Sequence, residues 1–124
     1  MRIWDIEPWR LCRSHLLGEH RELHAVWTVL TEGRPGYARH PEVLRWRGKL
    51  AALYARHESL VAEMCRRGYN HASPLDPRRA TGEPDQVDHL ASPAEQLRLL
   101  AAKGCGCVTS GHRPGPSRTA VRLG

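Results

Sequence analysis

Between Trp9 and Thr31 the chain has no proline and one glycine, and Cys12, Leu16, Leu23, Val26, Trp27 and Leu30 recur mostly three, four or seven positions apart. That is the period of an amphipathic helix, and it commits the segment to burying one face over roughly six turns. The run Thr31-Glu32-Gly33-Arg34-Pro35-Gly36 then stops it. A second helical region is expected from Pro41, a good first-turn residue, with a break at Gly48. From Lys49 onward Leu50, Leu53, Tyr54, His57, Leu60, Val61 and Met64 form one stripe, with Arg66 and Arg67 in the last turn and Gly68 placed as a C-cap.

Residues 69 to 91 are rich in Pro, Asp, Gly and Arg and read as an extended loop wrapping the helices. Ser92-Pro93-Ala94-Glu95 then has the form of a capping box, Leu97, Leu100 and Ala101 supply a short apolar face, and Gly104 ends it. Nothing reads as a sheet and no internal repeat is evident. The expected fold is all-α: a single compact domain of about three helices with long loops, covering residues 1–108, followed by a flexible polar tail over 109–124.

With 124 residues the chain has the length of one domain, and at 40% hydrophobic it is neither a low-hydrophobicity disordered chain nor a membrane protein. Met1-Arg2-Ile3-Trp4-Asp5 is not the opening of a signal peptide, so a soluble cytoplasmic protein is expected, by default a monomer. The formal charge is +6, nearly all of the positive charge being arginine, because Lys49 and Lys103 are the two lysines. Such a balance suits a polyanionic partner, nucleic acid first, or else a merely soluble basic surface.

Among the four cysteines, Cys12 and Cys65 fall on helix-like stretches and read as small buried apolar residues. Cys105-Gly106-Cys107 is different: two thiols two residues apart, with His112 nearby, can share a metal, or can lie in a plain C-terminal loop. No phosphate-binding loop, dinucleotide fingerprint or zincin motif is present. The one dense chemical cluster runs from His15 to His24, with three histidines, Glu19, Glu22 and Arg21. Glu19 and Glu22 share one side of a helix with His15, at the border of the apolar stripe, where a carboxylate is partly desolvated. The same pattern also fits an ordinary helix rim held by charge pairs.

Here the sequence resembles a known family, the phage-type pyrimidine-dimer DNA glycosylases with abasic-site (AP) lyase activity, of the phage endonuclease V kind. Arg2-Ile3 matches the family's N-terminal pair. His15-Leu16-Leu17-Gly18-Glu19-His20-Arg21-Glu22-Leu23 matches the first-helix pattern His-Leu-x-x-Glu-x-Arg-Glu-Leu. Ala62-Glu63-Met64-Cys65-Arg66-Arg67-Gly68-Tyr69-Asn70 matches the ending of the second long helix. Gly36-Tyr37-Ala38-Arg39-His40-Pro41 looks like bacterial members. The likeness covers roughly residues 1 to 75, and the first-helix motif is its specific part.

The resemblance implies that the nucleophile is the backbone α-amine of Met1, attacking C1′ of the damaged nucleotide, forming a Schiff base and cutting the strand by β-elimination. An α-amine with an ordinary pKa of about 7.7–8.0 is partly neutral near pH 7, and nearby Arg2 or Arg21 would lower it further. Glu22 matches the catalytic glutamate, which stabilises the developing positive sugar and moves protons. Arg2 and Arg21 match arginines that hold phosphates around the lesion, and His15 a histidine near the amine.

Three departures stand out. Met1 aligns with the family's exposed threonine, and bulky Arg2 is expected to keep Met1 in place. A further family arginine falls on Ala25, so one phosphate contact is either missing or supplied by Arg10, Arg13 or Arg45. The aromatic, lysine-rich C-terminal segment is absent, and Cys105 and Cys107 stand there instead. Trp4, Trp9, Tyr37 and Trp46 are candidates to wedge opened DNA, whereas Trp27 sits in the core stripe.

The expected function is therefore DNA-repair glycosylase and AP lyase activity on double-stranded damaged DNA, with pyrimidine dimers as the first substrate, and with no cofactor, metal or membrane. The alternatives are a glycosylase of the same fold for another base, a non-catalytic DNA-binding protein, and a small metal-binding regulator built around the cysteines.

Overall fold

The computed structural model describes residues 2–33, 35–36 and 38–111. Four α-helices are found among them: α1 (Arg13–Glu32), α2 (Pro41–Trp46), α3 (Leu50–Arg66) and α4 (Pro93–Lys103). Two single 3-10 turns, Pro8–Arg10 and Pro77–Arg79, complete the regular structure, and no strand occurs among the described residues. The all-α expectation holds, with one helix more than expected. The second helical region divides at Gly48, where φ is 76°, and Lys49 is non-helical at φ −131° and ψ 40°. The first helix starts later than Trp9 because the turn at Pro8–Arg10 is followed by extended backbone at Leu11 and Cys12. That stretch drops the Leu11 side chain into the core, where it is buried.

α1 and α3 pack against each other through their predicted stripes. Leu16, Leu23, Val26 and Trp27 of α1 and Leu53, His57, Leu60 and Met64 of α3 are buried, while Leu30, Leu50 and Tyr54 flank the core. Each fully buried leucine contributes about 1.5–3 kcal/mol. Ile3, Ile6 and Leu11 enter from the N-terminal segment, Val43 and Trp46 from α2, and Leu100 from α4.

The N-terminal segment is extended, so its carbonyls lack partners of their own. Three arginines supply them. Arg45 donates to the Ile3 carbonyl at 2.9 Å, Arg56 to that of Ile6 at 2.7 Å and Arg67 to that of Leu11 at 2.6 Å. Each guanidinium is also paired with a carboxylate: Arg45 with Glu42 and Asp5, Arg56 with Glu19, and Arg67 with Glu63. A planar fork with five donors can serve both partners at once. Gln96 of α4 closes the arrangement by accepting from the Asp5 backbone N–H at 2.7 Å and donating to the Asp5 carboxylate at 2.9 Å.

The long loop also has a local task. Its Thr81 and Glu83 carbonyls accept from the Ala51 and Ala52 N–H groups, which the first turn of α3 leaves unpaired. Gly82 makes this approach possible: its φ is 84°, and a Cβ there would lie 2.2 Å from the Gly48 carbonyl oxygen. The capping box at Ser92 and Glu95 and the left-handed cap at Gly104 form as their sequence predicts. Of the tail expected from Thr109, residues 112–124, His112 included, lie outside the described residues. Its start is tied down, with Arg10 donating to the Val108 and Gly111 carbonyls.

Candidate active site

The row His15, Gly18, Glu19, Glu22 along α1 forms the floor of a cleft of about 340 Å³. The spacing of three, one and three residues keeps all four on one side of the helix. Arg2 and Trp4 of the N-terminal segment, Ser14 of α1, and Leu99 and Lys103 of α4 complete its lining. Gly18 leaves the floor open, since a Cβ at that position meets nothing within 4 Å. Trp4 is buried and stands edge-on to His15, with centroids 5.7 Å apart and an interplanar angle of 86°. The Arg2 guanidinium lies 4.9 Å from the Trp4 ring centroid.

The two glutamates of the cleft differ. Glu19 is 2% exposed, and both of its oxygens accept from Arg56, at 2.6 and 2.9 Å. Burial pushes its carboxyl above the usual carboxylate range, opposed by Arg56 and by the Trp4 backbone. Glu22 is half-buried in the cleft lining and makes no ion pair among the described residues. The desolvation expected for this row thus falls on Glu19, which is sealed and paired.

The structure brings three of the predicted site residues, Arg2, His15 and Glu22, into this one cleft. Arg21 is exposed and lies instead in a neighbouring hollow with Leu17, His20, His24 and Ser73. Met1 lies outside the described residues. The Nδ1 of His15 lies beside sulfur, 3.1 Å from Cys12 Sγ and 3.5 Å from Cys107 Sγ. Its imidazole pKa is held below the ordinary value by desolvation and by the Lys103 charge.

Several expectations are corrected by packing. Trp4 and Trp46 are 6% and 2% exposed, so neither can wedge into a base stack; Tyr37 lies outside the described residues. Trp9 is half-buried beneath Arg10, whose guanidinium is 4.5 Å from its ring centroid. Arg45 cannot replace the missing phosphate contact, because it is buried among Glu42, Asp5 and the Ile3 carbonyl. Arg10 is paired with Glu7, and Arg13 is exposed beside the Tyr69 ring; either Arg13 supplies the contact or the contact is missing. Cys12 is half-buried and Cys65 exposed, rather than both being buried apolar residues.

Sequence reasoning did not find Arg56, Leu99 or Lys103. Arg56 directly precedes the stripe residue His57 in sequence, and nothing local shows that it reaches a carboxylate 37 positions away. Two further groups have the donor chemistry to hold a metal: Cys12, His15, Cys105 and Cys107, and His20, His24, His57 and His71, each with its ligand atoms within 4.8 Å of one another.

No helix among the described residues is long and apolar enough to cross a membrane. No curated protein and no solved structure matches the chain. A family model, that of pyrimidine dimer DNA glycosylase, matches residues 1–77. The matched stretch contains Arg2, His15, Glu19 and Glu22 of the cleft, and Arg56 and Arg67, which hold the N-terminal segment in place. By this match over more than half of its length, the chain belongs to the pyrimidine dimer DNA glycosylase family.

Proposed function

We propose that this chain excises a damaged base from duplex DNA and then cuts the strand as an AP lyase, with the α-amine of Met1 as nucleophile and Glu22 as the catalytic carboxylate. Cyclobutane pyrimidine dimers are the proposed substrate. The observation that carries the reading is the convergence of Arg2, His15 and Glu22 on one open cleft. Met1 directly precedes Arg2 in the sequence, and Arg2 lines that cleft.

The chemistry follows from the groups present. The neutral amine attacks C1′, the glycosidic bond breaks, and its electron pair leaves with the base. Positive charge develops on the sugar, and a carboxylate at Glu22 would stabilise it more in the transition state than in the ground state. Opening of the sugar ring gives the imine. Loss of a C2′ proton then expels the 3′ phosphate oxygen, and Glu22 is the proposed proton carrier. Arg2 and Lys103 at the cleft and Arg21 beside it offer cations to phosphates on either side of the lesion. Reaching C1′ requires a nucleotide to be extruded or the duplex bent.

The test uses protein whose N-terminus has been verified by mass spectrometry to be free Met1. It is incubated with a duplex carrying one cyclobutane thymine dimer and with a duplex carrying one abasic site, and borohydride is added. Covalent trapping on both, abolished by blocking the amine, is the expected result. Trapping on the abasic duplex alone would retain the amine chemistry and assign the glycosylase to another base. That variant has some support, because Leu99 and Lys103 of the cleft lining lie beyond the matched stretch. Trapping on neither would overturn the proposal in favour of a DNA-binding scaffold.

A further inference from the structure

We propose that Cys12, His15, Cys105 and Cys107 bind one zinc ion, which clamps the segment after α4 to the start of α1. The donors come from two parts of the chain and converge. Cys12 Sγ lies 3.1 Å from His15 Nδ1, Cys107 Sγ lies 3.5 Å from the same nitrogen, and Cys105 Sγ lies 3.5 Å from Cys107 Sγ. Tetrahedral zinc, with Zn–S near 2.3 Å and Zn–N near 2.0–2.1 Å, sets sulfur–nitrogen pairs about 3.5 Å and sulfur–sulfur pairs about 3.8 Å apart, within a few tenths of an ångström of these contacts. Three thiolates and one imidazole are a closed, structural donor set for that ion.

The backbone around the cluster fits the same reading. Gly106, with φ 99°, turns the chain so that both flanking cysteines face one point. The Cys12 N–H donates to Cys107 Sγ at 3.1 Å, an outer contact that suits a thiolate carrying negative charge. On binding, each of the three thiols releases a proton to solvent and the imidazole contributes its Nδ1 lone pair, so no oxidant or reductant is involved. Cys105 and Cys107 lie beyond the stretch that carries the family match. The ion would also fix the ring of His15, which lines the cleft, and join the α4 part of its lining to the α1 floor.

A separate observation points to a second cation. His20 and His24 of α1, His57 of α3 and His71 of the following loop turn their rings on one another, with centroids 4.6–5.2 Å apart. His24 Nε2 is 3.2 Å from His57 Nε2, and His20 Nε2 is 3.1 Å from His71 Nε2. His57 is fully buried, and its Nδ1 lies 2.8 Å from the Glu58 carboxylate. An Nδ1–H donated to a carboxylate leaves the Nε2 lone pair directed into the cluster, the arrangement that commonly backs a metal-bound histidine. Four imidazole nitrogens suit a divalent transition ion, and we infer that this cluster takes one as well, zinc serving as the probe.

Both sites are tested together on the untagged full-length chain, purified under reducing conditions, reconstituted with zinc alone and desalted. Metal content by atomic absorption is expected to be two zinc per chain, falling to one in Cys105→Ser and to one in His71→Gln. Cobalt substitution provides the second readout. A thiolate-to-cobalt charge-transfer band is expected in the wild type and in His71→Gln, and its loss in Cys105→Ser. Circular dichroism melts of both variants separate loss of an ion from loss of fold. Unchanged zinc in Cys105→Ser, no thiolate–cobalt band in the wild type, or a mass showing a disulfide in the reduced preparation overturns the cysteine site. Unchanged zinc in His71→Gln overturns the histidine site, and a wild type without zinc overturns both. These readouts do not depend on glycosylase activity.

Discussion

Glu19 and Glu22 are the same residue type, one helical turn apart on the same side of α1, and both line the cleft, yet their surroundings differ. Glu19 faces the packed layer between α1 and α3, where Arg56 takes both of its oxygens and in turn holds the Ile6 carbonyl. Glu22 faces the cleft and makes no ion pair among the described residues. A carboxylate that is already bidentately paired and sealed from water cannot readily move a proton or meet a developing cation. One left open beside Arg2 and Lys103 can. The motif Glu-x-x-Glu therefore contains one residue that is sealed and paired and one that stays open in the cleft.

The largest expected effect tests the open side. Glu22→Gln should lower single-turnover excision by about 10²- to 10⁴-fold, the usual contribution of a positioned acid–base group, with the melting curve and duplex binding unchanged. Equal activity in the variant would move the chemistry away from Glu22. The sealed side should respond in the opposite way. Glu19→Gln leaves the half-buried Arg56 charge without its partner, which costs up to about 3 kcal/mol. A denaturant midpoint should show that loss, while excision per folded molecule changes only a few-fold. If Glu19→Gln instead keeps its stability and loses turnover, the two roles are reversed.

Smaller effects sharpen the contrast. Arg21 is exposed outside the cleft, so Arg21→Ala should weaken binding to all duplexes alike and reduce the slope of log affinity against log salt by about 1. Selective loss on lesion-bearing DNA would place Arg21 in recognition rather than in general phosphate contact. The smallest effect is expected at Gly18. A Cβ there meets nothing within 4 Å, so Gly18→Ala should stabilise α1 by about 0.5–1 kcal/mol. The same methyl narrows the cleft floor, so turnover should fall as the melting temperature rises.

The legible part of the fold was the part written locally. The α1 and α3 stripes, the break at Gly48 and the capping box at Ser92 all depend on residues within a few positions of one another. The first-helix motif was equally legible, and its His15, Glu19 and Glu22 line one cleft together with Arg2 of the N-terminal pair. The difference between Glu19 and Glu22 was not, because it depends on Arg56, a neighbour only after α3 has packed. The arginines were misread for the same reason. Net charge counts Arg45, Arg56 and Arg67 as surface cations, whereas packing uses them to satisfy backbone carbonyls of the extended N-terminal segment. The tryptophans at positions 4 and 46 offered aromatic surface in the sequence and are buried in the fold.

Sequence alone thus determined which segments are helical, where they stop and which residues share the side of α1 that lines the cleft, since helical periodicity and capping act over one or two turns. Tertiary structure decided which charges remain free, which carboxylate is sealed, and how the histidines and cysteines gather. Cys12 and Cys107 meet from 95 positions apart, and His24 and His57 from 33. Contacts over such separations leave no periodic trace in the chain, because they form only when the helices bury their faces against one another and carry those side chains together.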